Sequence, residues 1–220
     1  MTTPAQRAEI LTNIHNFNVN PVTREIFLHG HVGDSWEDVM VDHRMANNFI
    51  KNMTLLEGEG RAPILIHQCT CGGEWPYGLA IYDRIKCSPC VVTVLAHAEA
   101  RSMSSIMPLA ADYRVMMPYA VYMIHHGTAG FEGEVQTVLS EARELEAETE
   151  IMLDIYIEAC KGSAKFPRWS AGRIRNWLLA KLGIDSPNWY LTARESVEYG
   201  FMTAVLGDPG YETIDVLRNN

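Results

Sequence analysis

Three sets of residues could carry chemistry. The first is cysteine: Cys69 and Cys71 stand as C-x-C, and Cys87 and Cys90 as C-x-x-C, with Cys160 apart. Two close pairs of thiolates are a donor set for structural zinc. The stretch between the pairs, GGEWPYGLAIYDRI, reads as a loop and then a helix. A helix of about ten residues is ~15 Å long and holds the pairs apart. The cysteines therefore read as small apolar side chains, and neither metal nor cofactor is expected. The second set is Ser102, in ARSMS, and His125, at the end of VYMIH. A serine hydroxyl becomes a useful nucleophile only beside a base such as imidazole. The familiar G-x-S-x-G elbow is absent. By position alone Ser102 reads equally well as a helix N-cap, and His125 as a rim histidine. The third set is Gly72-Gly73, a tight turn or a place of close backbone approach.

These residues need elements to place them. REIFLHG (24–30), APILIHQ (62–68) and VVTVLA (91–96) read as apolar strands. Met45, Phe49, Met53 and Leu56 recur at helical spacing, with Ser35 and Asp38 as a capping box ahead of them. A second helix is expected near 78–86. SMSSIMPLAA (102–111) reads as a buried helix, followed by strands 113–117 and 121–125. The longest helix spans 134–160, with Val135, Leu139, Ala142, Leu145, Met152, Tyr156 and Cys160 on one stripe. Its apolar stripe is expected to meet a neighbouring subunit, with Leu145, Met152 and Tyr156 as contacts. A short helix around Ile174–Leu182 follows, then Thr192 and Glu195 as a capping box and a last strand in 201–207. Residues 1–22 show no clear period. Alternating strands and helices with continuous apolar strands imply an α/β fold with a buried, largely parallel sheet.

The 220 residues suit one domain, 1–220. No apolar run approaches the ~18 residues needed to cross a bilayer, so no membrane partner is expected. A formal charge of −9 argues against nucleic acid as a partner. An odd number of cysteines and an N-terminus without a secretory pattern point to the cytoplasm.

From about residue 24 to 206 the chain resembles the ClpP family of serine peptidases. Four blocks carry the resemblance, in the family's order: GGEWPYGLAIYD (72–83), ARSMSSIMPLAA (100–111), VYMIHH (121–126) and YLTARESVEYGFM (190–202). The resemblance implies a ClpP/crotonase-like spiral of β-β-α units, with helix 134–160 projecting as a handle. It implies Ser102 as nucleophile and His125 as base, with the N–H groups of Gly73 and Met103 as the oxyanion hole. It implies hydrolysis of protein or peptide substrates by stacked heptameric rings of identical subunits, fed by an AAA+ unfoldase.

The chain departs from the family at several places. The family's triad aspartate falls on Asn188, with Asp185 three residues earlier as the alternative third member. An asparagine can orient a histidine but gives its imidazolium no charge partner. Cys71 replaces the proline before the paired glycines, and Ser104 replaces the glycine after serine-methionine. An insertion of about 162–183 precedes Asn188, and the N-terminal segment 1–22 is divergent. Three other readings stay open: a catalytically silent ring subunit, a viral capsid maturation protease, and a crotonase-type acyl-CoA enzyme. The last is the weakest, because helix 102–111 carries no suitable carboxylate.

Overall fold

The computed structural model describes residues 3–29, 40–183 and 187–220. Helix α1 (Pro4–Phe17) leads to strands β1 (Val19–Asn20) and β2 (Glu25–Leu28), then to helix α2 (His43–Glu59) and β3 (Ile64–Thr70). Helix α3 (Trp75–Lys86) and the ten-residue β4 (Val92–Arg101) follow, then α4 (Met103–Ile106), which tightens into a 3-10 turn at Met107–Ala110. Next come β5 (Tyr113–Met116), β6 (Val121–His125), α5 (Val135–Lys161) and α6 (Ala171–Lys181). The chain closes with β7 (Asn188–Thr192), α7 (Ala193–Glu198), β8 (Ala204–Val205) and α8 (Ile214–Leu217).

The strands form one sheet in the order β1-β2-β3-β4-β5-β8, with β6 pairing β4 and β7 pairing β6. Its centre, β2 to β5, is parallel, as the apolar strand runs imply. Strand β4 does two jobs. Its first half, from Thr93 to Ala96, pairs with β5, and its second half, from Glu99 to Arg101, pairs with β6. The second half carries the chain directly into Ser102.

The two faces of the sheet carry different loads. Ile64, Ile66, Val92, Val94 and Ala96 belong to the large core with Phe49 and Ile81. Alternate residues point the other way, and there Leu65, Leu95 and Val115 pack under Leu217 of α8.

Several expectations need correction. Residues 4–17 are a helix, capped by a reciprocal Thr3–Gln6 box. None of its residues is buried, which is why the sequence shows no apolar period there. The stripe on α5 is divided. Met152, Tyr156 and Cys160 are buried in this subunit's own core, at 4, 1 and 0% exposure, so Met152 and Tyr156 are not free to meet a neighbour. Val135 and Leu139 are the exposed part. Strand 201–207 shrinks to two residues. Cys90 and Cys160 are buried, but Cys69 and Cys87 are exposed, so the apolar reading holds for only part of the set. The Ser35–Asp38 capping box lies outside the described residues.

Candidate active site

Ser102 sits between β4 and α4 with φ 51 and ψ −128. A non-glycine residue in such a conformation is strained by roughly 1–3 kcal/mol and is held there by its surroundings. It occupies the N-cap position of α4 but makes no side-chain cap bond. The turn instead aims Oγ outward, and His125 Nε2 lies 2.6 Å from it. This is a strand–turn–helix elbow without the elbow's sequence.

The space such an elbow needs comes from elsewhere in the chain. A Cβ on Gly72 would stand 2.7 Å from Ser102 Cβ and 2.9 Å from the Arg101 carbonyl oxygen. Gly72 also has φ 108, which L side chains rarely adopt. Gly73 is clamped against Val41: Val41 N–H donates to the Gly72 carbonyl and Glu74 N–H to the Val41 carbonyl, both at 2.8 Å. In that parallel bridge Gly73 turns its own N–H away from Val41. Met103 opens α4, where an N–H has no carbonyl one turn back to receive it. A Cβ on Gly78 of α3 would fall 2.0 Å from Met103 Cγ, so that glycine makes room for the Met103 side chain.

Buried polar side chains fix α4. Gln68, from the apolar run of β3, donates to the Ser104 carbonyl at 2.8 Å. Tyr122 donates to the Ser105 carbonyl, and Tyr156 Oη lies 2.6 Å from Ser105 Oγ. Ser105 Oγ and N–H both bond the Ser102 carbonyl, at 2.6 and 2.9 Å. Ser102 N–H donates to Met123 at 3.0 Å, joining the elbow to β6. None of these supports was anticipated. A glutamine inside an apolar strand is a sequence signal that could have pointed to a buried acceptor.

His125 ends β6, and its register partner in antiparallel β7 is Asn188. Burial pushes the His125 imidazole below its usual range. A side-chain hydrogen bond with Asn188 opposes that shift, and the adjacent His126 adds to it. The net effect keeps the ring neutral and basic near neutral pH. His126 lies just past the strand and is exposed. Asp185 lies outside the described residues. Ser102, His125, Gly73 and Met103 all line one cleft of about 750 Å³. Among the described residues no cluster of three or more metal-ligating side chains forms.

A second histidine centre lies on the sheet face that carries Leu65 and Leu95. His67 Nε2 is 2.9 Å from Glu25 Oε1, and His67 Nδ1 is 2.9 Å from His97 Nε2. Arg218, at the end of α8, donates Nε and Nη2 to the same Glu25 oxygen, at 3.0 and 2.9 Å. Thr23 donates to the other oxygen. Burial alone would push the Glu25 carboxyl up, but these partners hold it at about 2. No local sequence pattern points to this centre, because its members lie up to 193 positions apart.

The chain matches the family model for Clp protease over residues 23–209. It is 32% identical over 119 residues to the ATP-dependent Clp protease proteolytic subunit of Deinococcus radiodurans, covering 53% of this chain and 58% of that one. The matched stretch therefore spans little more than half of that relative. It is 28% identical over 171 residues to proteolytic subunit 1 of the same protease in Protochlamydia amoebophila, covering 76% of each. Its fold matches an asparagine-to-aspartate mutant of ClpP1 from Listeria monocytogenes with a TM-score of 0.68 at 23% identity, over 90% of this chain and 96% of that one. With 187 of its 220 residues inside the family model, the chain belongs to the Clp protease family.

Proposed function

We propose that the chain is a serine endopeptidase that hydrolyses peptide bonds through Ser102, His125 and Asn188. The observation that carries this reading is the strained elbow that holds Ser102 Oγ 2.6 Å from His125 Nε2 at the floor of a cleft. In the reaction, His125 Nε2 takes the hydroxyl proton as Oγ attacks the peptide carbonyl. The N–H groups of Gly73 and Met103 receive the oxyanion, and they are in place before charge develops. His125 then returns the proton to the leaving amine. A water molecule, activated by the same imidazole, cleaves the acyl ester and frees Ser102. The Asn188 amide oxygen accepts the proton of Nδ1 and so fixes the tautomer that leaves Nε2 basic.

Asn188 also favours a second reading. An amide leaves the imidazolium of the transition state without a charge partner, which suits a subunit that is slow or silent within a ring. A fluorophosphonate probe decides between the two. Labelling of Ser102, lost in Ser102→Ala and in His125→Ala, together with hydrolysis of a fluorogenic peptide, supports the peptidase. An unlabelled Ser102 in the assembled protein favours the silent subunit.

The relatives are named as proteolytic subunits of an ATP-dependent protease. By that analogy this chain would form rings of identical subunits and receive substrates from an AAA+ unfoldase. Exposed Val135, Leu139 and Ile151 on α5 are the apolar surface such a ring would cover. Five free thiols suit a reducing cytoplasm.

A further inference from the structure

The α5 wall of the cleft has an order to it. Tyr156 is joined to Ser105, three residues past Ser102, so this helix face abuts α4. Residues four apart share a helix face. Stepping back from Tyr156 reaches Met152, then Glu148, then Glu144, and all three of these line the cleft. Beside α4 the wall is therefore apolar, made by Met152 with Met103 and Ile106. One to two turns further along it carries carboxylates.

Glu148 is half-buried, unlike its exposed neighbour Glu144. Burial and then the Glu144 charge push its carboxyl above the usual range. None of the lining residues among those described is a lysine or arginine. Elsewhere the helix pairs its acids: Glu150 binds Arg175 at 2.5 Å and Glu158 binds Lys161 at 2.8 Å. Glu144 and Glu148 make no ion pair among the described residues. Among the described residues the cleft thus combines an apolar floor with a negative charge that no lysine or arginine offsets.

We propose that Glu148, with Glu144 behind it, selects a lysine or arginine in the substrate, at the residue whose carbonyl Ser102 attacks. The inference rests on the peptidase reading. With its carbonyl at the Met103 N–H, that residue would lie closest to Met103 and α4. A long basic side chain lays its methylenes along Met103, Ile106 and Met152 and carries its charge out to the carboxylate. Leucine fills only the floor, and glutamate meets like charge.

The test uses the full chain and four fluorogenic peptides that differ only at this residue: lysine, arginine, leucine or glutamate. The expected order in kcat/KM is lysine and arginine above leucine, and leucine above glutamate. The lysine-to-leucine ratio should be roughly tenfold, as befits a partly exposed charge pair, and should shrink with salt. Glu148→Gln should bring that ratio close to one, and Glu148→Lys should raise glutamate above lysine. Leucine preferred over lysine in the wild type, or a ratio indifferent to Glu148→Gln, overturns the proposal. Fluorophosphonate labelling run in parallel separates the two failures. A labelled enzyme without the preference removes this inference alone, whereas an unlabelled chain that cleaves none of the peptides removes the peptidase reading and this inference with it.

Discussion

Two histidine centres stand on one sheet, and their polar partners alone would misplace the chemistry. His67 has the fuller set of polar partners: a carboxylate on one ring nitrogen, a second histidine on the other, and an arginine bound to that carboxylate. His125 has a serine and an amide. By partners alone, His67 looks more like a member of a triad. Among the described residues it has no nucleophile within its bonds, its carboxylate is already committed to Arg218, and Leu217 packs on the same face. The site at Ser102 has fewer bonds, but it has a strained backbone, a neutral imidazole and a cleft. A histidine–carboxylate pair is therefore a poor marker of chemistry by itself. Strain and access beside an unspent hydroxyl are better ones.

Substitutions at the two centres should differ in effect, and the largest loss is expected at Ser102 and His125. Ser102→Ala or His125→Ala should lower peptide hydrolysis by about ten-thousand-fold or more while His67→Gln leaves it far less affected, as read by kcat/KM. If His67→Gln were the inactivating change, the two centres would have been assigned the wrong way round. Gly72→Ala should follow, with a loss of about a hundredfold. Its Cβ would push against Ser102 Cβ, and a displacement of ~1 Å is enough to spoil the attack geometry. The fluorophosphonate labelling rate reports this directly.

The next effect falls on stability. Arg218→Ala should cost about 2 kcal/mol at neutral pH, measured by urea unfolding, because it leaves the buried Glu25 charge with fewer partners. The pH dependence has a definite sign. The Glu25 carboxyl titrates at about 2 in the folded chain against 4.5 when free. Its contribution is complete above about 4.5 and is lost as pH falls from there toward 2. The gap between wild type and Arg218→Ala should therefore narrow below pH 4.5. A gap that does not change between pH 7 and 3 would mean that Arg218 acts through packing alone.

The smallest effect is the most informative about Asn188. Asn188→Asp should raise kcat/KM by roughly tenfold, since each ~1.4 kcal/mol of transition-state stabilisation is a factor of ten. Burial and His126 lower the imidazole in the wild type, and a carboxylate would raise it. The base must be neutral to act, so the acid limb of the pH–rate profile should lie below 6.5 in the wild type and move to higher pH in the variant. No change in either rate or limb would remove Asn188 from the triad.

Much of the fold was legible because its strands are continuous apolar runs and its long helices are amphipathic. Helix α1 was not legible, because a helix that buries nothing leaves no periodic trace. The pairing of Ser102 with His125 came from resemblance, and its physical basis explains why spacing missed it. In the usual elbow the glycines that make room flank the serine in sequence. Here the room is made by Gly72, thirty positions away, so a local scan finds nothing. The position of Asn188 was legible only by the same route, since it meets His125 across a strand pairing of residues 63 apart.

His125 and Asn188 form the last rung of the β6–β7 ladder, and the next residue of each strand beyond it lies outside the pairing. A ladder opens from its end, at a free energy well below that of global unfolding. Warming should therefore stop hydrolysis by the proposed triad before it melts the protein. Exchange of the backbone amides of Ile124 and Trp189, the hydrogen-bonded pair beside this rung, should quicken at temperatures where Tyr122 and Leu191, deeper in the same ladder, are still protected. The site would act as a thermal fuse, blown by fraying and reset on cooling.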